Sequence, residues 1–300
     1  MSIGKSIVRG DQVRPESEFR RVLVLSDFSR GAKSALQFAR AIARKFNSKI
    51  YILHVIPSGV FQFLSGHSRG EALLLANEFA RDGMQMLLKE GKSEGFDEEG
   101  IVAEGTLWPT ISKTIQSRQI DLIAMGTHGN ANERKLGLGS VSEQIYRVAD
   151  CPILTAPPLP GLNAMPEIQR ILFATNFKPH SERAAFAAHS LGCGPNRKLT
   201  VLHVVEESSE SSQQSNQIVR EFFVKRMAKC IPTPCEDNCS PEYEIRFGKP
   251  MEEILSASDQ LHSDLIFLGV RREQRATGHL PSALAYGIVC RSNCPVLTIQ

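Results

Sequence analysis

The chain contains no apolar run approaching the roughly 18 residues that a membrane-spanning helix requires. It has no block of Lys or Arg that would form a basic tail, and its formal charge of +3 at pH 7 is too small to hold a nucleic acid. The opening stretch, MSIGKSIVRGDQVRPESEFR, lacks the apolar centre of a secretory signal. Cysteine is sparse and odd in number: 7 unevenly spaced thiols in 300 residues, a length that can build a core without disulfides. These absences argue against membrane and nucleic-acid partners and lead to the expectation of a cytoplasmic protein with reduced thiols. Two familiar phosphate-binding patterns are also missing: there is no G-x-x-x-x-G-K-[ST], and no G-x-G-x-x-G follows the first apolar run.

What is present belongs to an ordinary globular chain, with 42% apolar and 22% charged residues and a length that suggests two domains. Residues 1–19 are polar and aperiodic and read as a loose arm. Arg21–Ser26 reads as a buried parallel strand. Ser29 is placed to cap a helix whose apolar face recurs at Ala32, Ala35, Leu36, Ala39, Ile42, Ala43 and Phe46. A strand at Lys49–Ile56, a loop at Pro57–Gly66 and a helix from Glu71 to Glu90 follow. A weaker strand around Val102 and a helix from Pro109 to Arg118 come next, then a strand at Leu122–Met125, a helix entered at Gly139-Ser140 and a strand at Ile153–Ala156. Strands alternating with helices imply a parallel sheet covered on both faces.

The pattern then repeats. Arg170-Ile-Leu-Phe-Ala-Thr-Asn-Phe echoes Arg21-Val-Leu-Val-Leu-Ser-Asp-Phe at an offset of 149, and Leu202-His-Val-Val echoes Leu53-His-Val-Ile at the same offset. Asp264–Gly269 echoes Asp121–Gly126, and Cys294–Thr298 echoes Cys151–Thr155, at an offset of 143. Collinear self-similarity at this many places means two copies of one α/β unit. The expected bounds are 20–156 and 168–300, joined by a linker at 157–167 rich in helix breakers.

The most informative stretch is Asp121–Pro152, a buried strand, a glycine-rich loop and a helix start. Gly126, Gly129 and Gly139 have no Cβ to hold a ligand away from the backbone. Ser140 is read as the N-cap of the following helix, whose first N–H groups and dipole favour an anion. Together these features make a phosphate site. Their spacing, G-x2-G-x9-G-[ST], resembles the ATP-binding signature of universal stress proteins. The resemblance extends over almost the whole chain as a tandem of two family domains.

That resemblance implies Rossmann-like domains of the adenine nucleotide alpha hydrolase type, each a five-stranded parallel sheet in order 3-2-1-4-5. It also implies pairing through the last strands, here within one molecule, with a homodimer as a further assembly. The ligand crevice is then expected where the strand order reverses. Asp27 matches the position that accepts from the adenosine end; by chemistry alone it fits a turn or cap residue equally well. Val55 matches the position whose backbone meets the adenine, and Leu25 and Met125 are expected in the crevice floor. Gly126, Gly129, Gly139 and Ser140 match the signature residue by residue. Val141 and Ser142 are expected to offer N–H or hydroxyl donors to phosphate, and His128, Arg134 and Lys135 lie within or near the loop as candidate cations. His54 and its counterpart His203 read as core histidines.

The second half departs from the signature. Gly269 matches Gly126, but Arg272, Ser282, Ala283 and Asn176 stand where the first half has Gly129, Gly139, Ser140 and Asp27. The expectation is a single ATP site, with magnesium or manganese as the candidate accompanying metal and no dedicated protein metal site. Arg271, Arg272 and Arg275 leave open a different anion in the second half. Cys230, Cys235 and Cys239 lie close together in a Pro-rich segment; zinc, redox sensitivity and incidental thiols all remain open there. No Walker-B-like acid or evident base is present, so the expected role is a nucleotide-dependent stress-response switch, at most a slow ATPase, with a nucleotide-free interaction module as the rival.

Overall fold

The computed structural model describes residues 19–59, 61–127, 137–162, 164–206, 213–231, 240–270 and 283–300. The first half runs β1 (Arg21–Leu25), α1 (Arg30–Phe46), β2 (Lys49–Pro57), α2 (Gly66–Ser93), β3 (Glu98–Gly105), α3 (Leu107–Arg118), β4 (Leu122–Gly126), α4 (Ser140–Val148) and β5 (Ile153–Ala156). The second runs β6 (Arg170–Ala174), α5 (Pro179–Gly192), β7 (Lys198–Val205), α6 (Gln213–Cys230), β8 (Glu242–Phe247), α7 (Pro250–Gln260), β9 (Leu265–Gly269), α8 (Ala283–Arg291) and β10 (Val296–Ile299). The architecture is α/β and Rossmann-like, in two domains, each with the strand order 3-2-1-4-5. Among the described residues no helix is long and apolar enough to cross a membrane.

All strand pairings within a half are parallel. β5 and β10 run antiparallel, with Leu154 opposite Leu297, and they join the halves into one ten-stranded sheet. Both strands are buried along their length, since helices cover each face. The start of β1 is tied to β4 by Asp121, whose carboxylate accepts from the N–H groups of Arg20 and Arg21 at 3.0 Å each. Asp264 repeats this with Gln169 and Arg170 at 3.0 and 2.8 Å, which is the physical content of the repeated Asp-Leu-Ile. Burial raises the Asp121 pKa, and the two N–H donors oppose that shift.

Several sequence expectations shift. Phe19, assigned to the arm, is buried edge-on against Phe46 with ring centroids 5.7 Å apart. α2 begins at Gly66 and ends at Ser93, longer than Glu71–Glu90, because its half-exposed faces carry little apolar periodicity. α3 begins at Leu107; Pro109 sits in its first turn, where its missing N–H has no helical partner to lose. The linker is pinned to the body: Leu159 N–H donates to Ser34 Oγ at 3.1 Å, and Leu159 and Leu162 pack against the core.

Candidate functional site

Two chain segments meet where the strand order reverses, at the carboxyl ends of β1 and β4. After β1 the chain makes a tight turn in which Phe28 takes a left-handed conformation, φ 62°. That backbone is costly for a bulky side chain. It is held by Ser26 Oγ, which accepts from Phe28 N–H at 3.2 Å, and by Asp27 Oδ1, which accepts from Ser29 N–H at 3.0 Å. Ser29 then caps α1, its Oγ accepting from Ala32 N–H at 3.2 Å. Asp27 therefore makes the Asx turn, but this uses one carboxylate oxygen, and the side chain is exposed at the crevice.

The turn repeats in the second half with one change. Phe177 is again left-handed, φ 58°. Asn176 Oδ1 accepts from both Lys178 N–H at 3.1 Å and Ser181 Oγ at 2.9 Å. The acceptor that Asp27 keeps available is thus consumed by the protein at Asn176.

β4 leads into the other wall. Gly126 closes β4 against the first turn of α1: a Cβ there would lie 2.7 Å from the carbonyl carbon of Gly31. Its missing side chain is required by backbone packing, a demand the motif spacing does not reveal. Gly269 shows the same relationship, with a Cβ 2.6 Å from Ser181 Cα. This explains why that glycine alone of the signature persists in the second half.

The helix after the loop starts one residue earlier than expected. Gly139 is the N-cap of α4, and Ser140 is its first helical residue. Gly139 has φ −62° and ψ 155°, a conformation open to any residue. The first helical bond runs from Glu143 N–H to Gly139 O at 2.9 Å, so the N–H groups of Ser140, Val141 and Ser142 have no partner within the helix. Ser142 Oγ donates to Gly126 O at 2.8 Å, which commits its hydroxyl to the protein and leaves its N–H as the available donor.

Between these walls lies a crevice of about 560 Å³. Leu25, Asp27 and Val55 line it from the β1 and β2 side; Met125, Gly126, Gly139, Ser140, Val141 and Ser142 line it from the β4 and α4 side. His128, Gly129, Arg134 and Lys135 lie outside the described residues, as do Arg271, Arg272, Arg275 and Ser282. The sequence reading missed an apolar flank made by Phe61, Phe79, Leu107 and Ile111. It also missed that His54 lines the crevice. His54 is half-buried, stacked on Phe28 with centroids 4.6 Å apart, and its Nδ1 lies 2.8 Å from Ser26 O. A carbonyl only accepts, so Nδ1 donates this bond.

A second crevice of about 620 Å³ lies in the matching place of the other half. Its helix end offers Leu284 and Ala285 where the first has Val141 and Ser142. His203 repeats His54, its Nδ1 2.9 Å from Thr175 O. Burial lowers the His203 pKa, nearby Arg226 adds to the effect, and the bond to Thr175 opposes it.

Among the described residues metal donors at the crevice are few. At the α4 end Glu143 pairs with Arg147 at 2.6 Å, which leaves the Ser140 hydroxyl as the side-chain oxygen facing the crevice. Among the described residues, an accompanying magnesium or manganese ion would be held chiefly by a ligand's own phosphates. Burial raises the thiol pKa of Cys230, and Cys235 and Cys239 lie outside the described residues.

The model of the universal stress protein family matches this chain twice, over residues 18–157 and 167–300. A universal stress protein of Methanocaldococcus jannaschii is 27% identical over 151 residues, covering 45% of this chain and 93% of its own. One from Bacillus subtilis is 28% identical over 147 residues, covering 45% of this chain and 97% of its own. Over the full tandem, the crystal structure of a universal stress protein from Archaeoglobus fulgidus superposes with a TM-score of 0.67 at 20% identity, covering 95% of this chain and 97% of that one. At that identity the likeness speaks for the fold.

Proposed function

The chain belongs to the universal stress protein family, and from that premise we propose that it is a stress-related protein whose first half binds ATP in the crevice between Asp27 and α4. One observation carries the reading. The same crevice presents a carboxylate oxygen left over from the Asp27 turn at one side and, at the other, the N–H groups of Ser140, Val141 and Ser142, which have no partner among the described residues. A ribose hydroxyl donates to the first, and phosphate oxygens accept from the second. The apolar flank of Val55, Phe61, Phe79 and Ile111 suits a planar base between them.

In this reading Gly129, Arg134 and His128 complete the phosphate end, as the family signature implies. The two halves pair through β5 and β10 as one working unit. Binding biases a conformation or a partner in the cytoplasm, and hydrolysis is slow or absent. Mass spectrometry of the purified protein tests it first, with co-purifying ATP as the expected result. Calorimetric titration of the wild type and of Gly129→Arg, which copies the residue at 272, tests it second. Wild-type protein that takes up no adenine nucleotide in either measurement would overturn the proposal.

A further inference from the structure

The second half reaches into the first at one point beside the candidate site. Tyr286 on α8 places its hydroxyl 3.4 Å from the N–H of Leu138, which donates to it. The same hydroxyl would be 3.5 Å from a Cβ on Gly137, whose φ of 148° belongs to the range that side chains avoid. These two residues immediately precede Gly139 and the first-turn N–H groups of α4, which have no partner among the described residues. Just before them, Gly139 N–H is itself tied to Thr127 O at 2.9 Å.

α8 is well placed to act as a fixed support. Ile288 and Val289 are buried in a core cluster that also contains Ile145 and Tyr146 of α4, and Leu138 packs against that cluster. On its other side Gly287 lets α8 approach Met251 of α7, where a Cβ would collide with the sulfur. Cys290, one turn after Tyr286, lies beside both the Tyr286 hydroxyl and the Leu138 amide. The 143-residue offset makes Glu143 the counterpart of Tyr286 and Arg147 the counterpart of Cys290, and those two form an ion pair with each other at 2.6 Å. The support is therefore not a symmetric feature of the repeat.

We propose that Tyr286 of the second half is a positioning residue for the nucleotide site of the first, its hydroxyl holding the backbone at Gly137–Leu138 so that the N–H groups of Ser140, Val141 and Ser142 stay aimed into the crevice. This rests on the nucleotide reading above for its ligand but not for its geometry. It gives the second domain a task that its own altered crevice does not: it is a scaffold for its neighbour's phosphate end. Preorganised donors bind without a further ordering cost, so loss of the anchor weakens binding without removing any ligand contact.

The test uses the full chain and Tyr286→Phe, which keeps the ring and deletes only the hydroxyl. Hydrogen exchange is measured first without nucleotide. The Leu138 amide should exchange several-fold faster in the variant, while amides in β1 and β4 and the thermal midpoint stay unchanged. ATP affinity by calorimetry should fall roughly three- to tenfold, the range expected for one neutral hydrogen bond. Unchanged exchange at Leu138 overturns the anchor, and faster exchange with unchanged affinity overturns its role in binding. Wild-type protein that fails to bind ATP sinks the nucleotide reading instead, and the exchange comparison then decides the anchor alone.

Discussion

A Cβ on Gly126 would lie 2.7 Å from the carbonyl carbon of Gly31, closer than such atoms approach in folded proteins. The contact joins the end of β4 to the first turn of α1, so the two segments that wall the crevice are set by each other. Gly126→Ala should therefore destabilise the whole domain, by about 1–3 kcal/mol as for other forced overpacking. Gly269→Ala should cost a similar amount through Ser181. Gly139→Ala should cost less, because φ −62° suits alanine and only the N-cap preference for glycine over alanine is lost. Urea denaturation of the three variants decides this; a Gly126→Ala midpoint equal to the wild type's would mean that the glycine serves only a ligand.

Asp27→Asn separates the turn from the binding role. Asn176 shows that an amide oxygen makes the same turn, accepting Lys178 N–H at 3.1 Å. The variant should melt with the wild type but lose roughly ten- to a hundredfold in ATP affinity, the scale of one charge-assisted hydrogen bond. Titration calorimetry beside a thermal melt gives both numbers. Full affinity in the variant would assign Asp27 to the turn alone.

Stoichiometry follows from the contrast between the halves. The second crevice is as large as the first. Size is therefore not what distinguishes them. Asn176 Oδ1 is already doubly engaged, and Ala285 replaces Ser142, whose hydroxyl ties α4 to Gly126 O. One ATP per chain is expected in native mass spectrometry. Two equivalent sites would show that these substitutions do not matter.

The tandem fold was legible because its signals are local and doubled. Alternating apolar runs, the Ser29 cap and the strand-start aspartates Asp121 and Asp264 each act within a few residues or at one strand end. The crevice was legible in outline, since Asp27, Val55 and Ser140 do lie around one hollow at the sheet's reversal point. What could not be read were contacts set by packing between distant segments. Gly126 owes its identity to Gly31, and His54, which lines the crevice, stacks on the left-handed Phe28 of the turn after β1. Tyr286 stands beside Leu138 from 148 residues away. No periodicity or motif spacing encodes such meetings.

Stability should fall as pH drops below the ordinary histidine value, about 6.5, with His203 contributing. Burial holds its folded pKa below the ordinary value of 6.5, so the unfolded chain takes up a proton that the native state resists. The stabilisation is complete above the unfolded pKa and is lost as pH falls through the lower, folded one. His189, also lowered by burial, acts in the same direction. His203→Asn keeps a donor near Thr175 O but does not titrate, so its urea midpoint should vary less across this window. Parallel pH profiles for the two proteins would remove His203 from the account.

The last prediction concerns turnover. Working enzymes turn over about 1 to 1,000 times per second. Phosphoryl transfer at such rates requires a group to orient the nucleophile and charges matched to the transition state. Among the described residues lining the crevice Asp27 is the sole carboxylate; it stands at the proposed nucleoside side and spends one oxygen on its turn. Glu143, at the start of α4, is paired with Arg147. The N–H groups of α4 hold ground-state phosphate and transition state alike, and uniform binding of that kind does not speed the chemical step. Bound ATP should therefore persist, with hydrolysis much slower than one turnover per second. Single-turnover assays with magnesium or manganese measure this directly. A rapid first-order loss of the γ-phosphate that disappears in Gly129→Arg would make the protein a hydrolase.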